Sequence, residues 1–165
     1  MKPGPRPGLR RAVFLTTLAL TAPVALPGQV DGAAAAWGQA DSSVAIGDTR
    51  IGLRVVAWRD FLPRVGPDRS GSGLLVNLQI ARLDSTPWPE GLKVDSAWVR
   101  SPGGVWSTAP SSEPRPGFPN GLDLMLRGGP KWPTEHRVAV LVRLRTAAGK
   151  AHYLQARGQR IGRTQ

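Results

Sequence analysis

Beyond residue 48, apolar and polar residues alternate at period two along most of the chain. In residues 50–58 (RIGLRVVAW), Ile51, Leu53, Val55 and Ala57 share one face. Residues 73–83 set Leu74, Val76, Leu78 and Ile80 on one face, opposite Asn77 and Gln79. Residues 93–100 (KVDSAWVR) offer Val94, Ser96 and Trp98 against Asp95, Ala97 and Val99, and the SPGG turn leads into a short return strand, VWST. Leu122, Leu124 and Leu126 alternate further on, and RVAVLVRLR (137–145) turns Val138, Val140, Val142 and Leu144 inward. After a TAAGK turn, AHYLQAR (151–157) runs back.

That makes seven short β segments separated by Gly/Pro turns, with no sustained helical period. The alternation gives each sheet one buried and one wet face. The expected fold is all-β: an immunoglobulin or fibronectin type III-like antiparallel β-sandwich of about seven strands, with a small β-barrel as the alternative. Trp98 takes the place of a sandwich's core tryptophan. The last hairpin has a checkable register: a three-residue loop, Ala147-Ala148-Gly149 with Gly149 left-handed, pairs Val142 with Leu154 and Val140 with Ala156. A one-residue slip would turn both pairs out of the core. On the other face the same register leaves Arg137, Arg143, Arg145, Tyr153 and Arg157, a basic stripe with one aromatic.

The first forty residues read differently. A basic stretch (1–11) precedes fifteen uncharged residues, AVFLTTLALTAPVAL (12–26), and then small residues. This is the pattern of a secretory signal peptide, too short to span a bilayer, which takes roughly 20 apolar residues. Ala34 and Ala36 suit cleavage before Trp37, and cleavage after Ala40 fits nearly as well. The predicted organisation is a signal peptide over 1–36, a flexible segment over 37–48, the β domain over 49–158 and a basic tail over 159–165. Arg10-Arg11 hints at twin-arginine export. The expected location is periplasmic or extracellular, with no stable membrane anchor after processing.

Charge and composition narrow the chemistry. The chain holds 22 Lys and Arg against 11 Asp and Glu, and no Cys. Setting aside the five charged residues of the signal leaves 18 basic and 10 acidic, a net charge of about +8. The absence of cysteine excludes disulfides, thiol nucleophiles, thiolate zinc sites and lipoprotein anchoring. The predicted register puts His152 opposite Leu144, while His136 lies roughly 26 Å along the strand, so the two cannot share a metal. No nucleophile elbow, P-loop, dinucleotide fingerprint or carboxylate pairing is visible. No enzyme activity, metal or cofactor is expected, and a hydrolase, which would need a His beside a carboxylate or Ser in a pocket, is the least favoured of three readings.

The tryptophans carry the positive signal. Trp58 falls on the polar side of its strand beside Arg54. Trp88 (TPWPEG) and Trp132 (GPKWP) sit in Pro-braced turns, where a rigid ring can anchor a protein contact or stack on a sugar at low entropic cost. The same two side chains could instead close the end of the core. Phe118 lies in the Pro-rich loop 109–121, as a plug or an exposed contact. With Arg143, Arg145 and Tyr153 these are the candidate binding residues. The partner expected is an envelope protein, alternatively a polysaccharide met by exposed tryptophans, and not nucleic acid.

The segments VVAWRDFLP (55–63), GPKWP (129–133), VLVRLR (140–145) and IGRT (161–164) are similar to a group of small secreted bacterial proteins of unknown function. The resemblance covers most of the chain from about residue 44. It implies an exported small β domain and no particular activity.

Overall fold

The computed structural model describes residues 28–62, 70–112 and 121–164. One helix, α1 (Gly28–Gln39), precedes nine strands. They are β1 (Ser43–Ile46), β2 (Thr49–Asp60), β3 (Leu75–Arg82), β4 (Lys93–Ser101), β5 (Gly104–Thr108), β6 (Ser111–Ser112), β7 (Gly121–Leu126), β8 (Arg137–Arg145) and β9 (Ala151–Thr164).

The strands join into one continuous mixed sheet, ordered β5-β4-β8-β9-β2-β3-β7-β6, with β1 paired to β2. It curls into a half-barrel around its main apolar core. The chain is therefore all-β apart from α1, and the expected two-sheet sandwich of the immunoglobulin kind is replaced by this curl. The cause is β9. Its first part pairs antiparallel with β8, and Ile161–Thr164 then pairs parallel with residues 57–60 of β2. One long strand thus bridges what would be two sheets. Residues 159–164 of the expected basic tail are the end of that strand, with Ile161 fully buried.

The alternation places most of the core. Leu74, Val76, Leu78 and Ile80 are fully buried, as are Val140, Val142 and Leu144. The last hairpin adopts the expected register, Val142 opposite Leu154 and Val140 opposite Ala156, with Gly149 at φ 80°. His152 lies opposite Leu144. The SPGG turn forms as read, pairing Ser101 with Gly104.

β4 departs from the expectation. Its register on β8 shifts between Val94 and Ser96, which leaves Asp95 as one extra residue. Such a bulge exchanges the two faces of a strand. Beyond it Ala97 and Val99 enter the main core, and Trp98 points to the opposite face. The core position expected for Trp98 is thereby corrected.

In the uncut chain residues 28–39, which run across the expected leader boundary, form α1, and 43–46, within the stretch expected to be flexible, form β1. Four successive alanines, the strongest helix formers, favour α1. A two-residue turn at Gly47-Asp48, with Gly47 at φ 59°, folds β1 back onto β2.

Candidate functional site on the outer face of the sheet

β8 is apolar on both faces. Leu141 is fully buried although it points away from the main core. It centres a second cluster with Ala33, Ala36 and Trp37 of α1, against which Ala40, Trp98, Ala139 and Tyr153 pack. The α1 positions 33, 36 and 37 fall on one helical face, and that face meets the sheet. The signal was present in the sequence: Ala139 and Leu141 interrupt the polar parity of β8, and a strand apolar on both sides needs a cover on both.

Charged groups frame this patch. The Asp95 bulge accepts from Arg143 Nε through Oδ1 and from Arg145 Nε through Oδ2, both at 2.7 Å. Arg143 Nη2 also donates to Ser96 Oγ at 2.9 Å. The expected basic stripe is thus partly neutralised: Arg143 is buried and ion-paired, and Arg145 shares its carboxylate. Arg143 also lies 5.7 Å from the Trp98 ring centroid, and Trp98 and Tyr153 stand 6.5 Å apart at 39°. Arg100 places its guanidinium 4.1 Å over the ring of Trp37, within cation–π range.

Burial pushes the Asp95 carboxyl up, but the hydrogen bonds from Arg143 and Arg145 outweigh it and hold its pKa below the ordinary 3.8. Burial and the nearby Lys150 charge lower His152 below 6.5. Both groups bind fewer protons folded than unfolded, so each contributes stability that is complete above its unfolded pKa and lost as pH falls through its folded one. Denaturation midpoints measured from pH 8 to 2 should therefore decline in two stages. The first begins below about 6.5 and the second below about 4. Asp95→Asn should shrink the second stage and leave the first, the rest of the acid slope coming from carboxyls such as Asp84, which hydrogen bonds from Thr86 and Arg50 also hold below 3.8; an unchanged acid slope would refute the assignment.

Beside this patch β2 and β9 diverge, leaving a cleft of about 580 Å³ lined by Asp41, Arg54, Gln155, Arg157 and Gln159 among others. The chain leaving α1 bridges it. Gln155 N–H donates to Asp41 O at 2.8 Å, Leu53 N–H to Ser42 O at 2.8 Å, and Arg157 Nη2 to Ala40 O at 3.3 Å. Gln155 is 5 % exposed, and its Oε1 has no hydrogen-bond partner among the described residues.

The candidate residues separate into two groups. Arg143, Arg145 and Tyr153 come together on the outer face, joined by Trp98, which was expected in the core, and by Arg100 and Leu141, which sequence reasoning did not single out. Trp132 is buried in the main core, and Trp88 packs half-buried against it. Trp58 is half-buried on β2, opposite Leu75 and Gly162. Phe118 lies outside the described residues, as does the apolar run 12–26. Among the described residues no three His, Asp or Glu side chains are grouped to hold a metal, and no helix is long and apolar enough to cross a membrane. Compared with protein-family models, curated proteins and solved structures, the chain matches none.

Proposed function

We propose that the chain is an exported, non-catalytic module that binds a protein partner in the cell envelope through the outer face of β4, β8 and β9. One observation carries this reading. The face holds Leu141, Trp98 and Tyr153 in a single apolar cluster, and its cover is a helix from the stretch where a signal peptide would be cut. Cleavage before Trp37 or after Ala40 would remove Ala33 and Ala36 and uncover that cluster. An apolar centre with two aromatics and a rim of arginines has the composition of a protein-binding hot spot. A carbohydrate module would instead need exposed, coplanar tryptophans. Trp132 is buried and Trp88 packs on the core, so these two do not supply that platform.

Capture from envelope extract tests the proposal. Mature protein is immobilised and challenged at low salt and at about 0.5 M salt, where screening shortens to a few ångströms. One protein species should be retained at both salts, and Tyr153→Ala should release it. Retention of glycan alone, or of many acidic species that wash off with salt, would overturn it.

A further inference from the structure

We infer that the outer face is a groove for a short helix whose contact side consists of small residues followed by one tryptophan, and that α1 fills it in the uncut chain. The inference rests on the docking reading above and names the partner's chemistry: a helix of another protein carrying small residues at positions i and i+3 and tryptophan at i+4.

The seated helix shows what the groove accepts. Ala33 and Ala36 lie against the sheet, where only small side chains bring a helix backbone close to Leu141 and Ala139. One residue on, Trp37 is 9 % exposed, with Arg100 of β4 stacked on it at 4.1 Å. Ala positions set the approach and the Trp–Arg100 pair sets the register along the groove. This is recognition of a helix by anchors spaced i, i+3 and i+4.

α1 is also a weakly held occupant. It is twelve residues long and includes Gly28, Gly32 and Gly38. An isolated helix of that length and composition is marginal in water. While it is tethered, α1 holds the groove through its high effective concentration, and a partner helix with better intrinsic helicity and the same anchors takes its place once the tether is cut. Removing residues up to Ala40 opens the groove outright, and removing those up to Ala36 takes away Ala33 and Ala36 while leaving Trp37 at the chain terminus.

The test uses the full chain, exported and processed by the producing cell, with its amino terminus read by intact mass. A chain that has lost residues 28–36 should bind a fluorescent synthetic peptide of residues 28–40. Trp37→Ala in the peptide, or Arg100→Ala in the protein, should each weaken binding roughly three- to thirty-fold. The two changes together should weaken it little further, because they remove the same contact. A mass that still includes Gly28–Gln39 would overturn the open docking face of the proposed function but not the groove. The groove is then read within the chain: Trp37→Ala and Arg100→Ala must each lower the melting temperature, and the double variant must lower it by no more than the larger single effect. Independent, additive losses in either setting overturn the inference. So does failure of the peptide to bind a processed chain whose circular dichroism shows a folded sheet. A mature chain that dimerises and thereby excludes the peptide would assign the face to a second copy and overturn the partner-helix assignment.

Discussion

Arg59→Met is expected to lower the unfolding free energy by about 3 kcal/mol, a fall of roughly 10 °C in melting temperature. Arg59 is 6 % exposed, at the end of β2. Its Nε donates to Ser72 O at 2.8 Å, Nη1 to Trp132 O at 3.0 Å and Lys131 O at 3.4 Å, and Nη2 to Ser70 O. One guanidinium therefore ties the end of β2 to the segment before β3 and to the Trp132 segment before β8. Its ring neighbour is Phe61, at 5.0 Å, which Arg163 of β9 flanks at 4.4 Å. Methionine would preserve much of the volume and strand four carbonyls. Those of Ser70, Ser72 and Lys131 are only part-buried and regain water, but the Trp132 bond is buried. Lysine should rescue little, since an ammonium cannot hold three segments in the fixed fork of a guanidinium. Urea titration of both variants reads the effect, and a loss under 1 kcal/mol for Arg59→Met would show that the clamp is dispensable.

Gly73→Ala is the second large loss expected, at about 2–3 kcal/mol. A Cβ at Gly73 would stand 2.4 Å from Gly129 O, a backbone atom that cannot swing aside. The neighbouring backbone is already bonded in both directions: Leu74 N–H to Gly129 O at 3.2 Å and Gly129 N–H to Leu74 O at 3.1 Å. Moving either segment away would break that pair and withdraw Leu74, fully buried, from the core. Gly38→Ala serves as the contrast. Nothing lies within 4 Å of the added methyl there, and the site is helical, so the change should stabilise α1 by up to about 1 kcal/mol. Equal thermal shifts for the two alanines would mean that the close approach at Gly129 relaxes freely.

Both predictions concern contacts between segments remote in sequence, and that is where sequence reading stopped. Arg59 follows Trp58 directly along β2, and nothing local says that it will face carbonyls from residue 72 and residue 132. Trp132 and Trp88 were legible as rigid rings but not as exposed or buried ones, because a Pro-braced turn fixes a ring's backbone and not what folds over it. The Asp95 bulge is a further case. Period two predicts a face only while the ladder stays in register, and the extra residue that sends Trp98 outward is stabilised by Arg143 and Arg145, about fifty positions away.

The sequence alone determined that the chain is built of strands, which residues of β2, β3, β7 and β8 face the main core, and the register of the β8–β9 hairpin. Those follow from alternation and turn chemistry, which are local and strongly constrained by burial on one side. Only the tertiary structure decided that the strands form one curled sheet, that Asp95 breaks the ladder, that Arg59 is a buried clamp and that residues 28–39 cover a second apolar face. Each depends on which distant backbone or side chain completes a group's hydrogen bonds or excludes water from it, and a single strand's pattern carries no record of its neighbour.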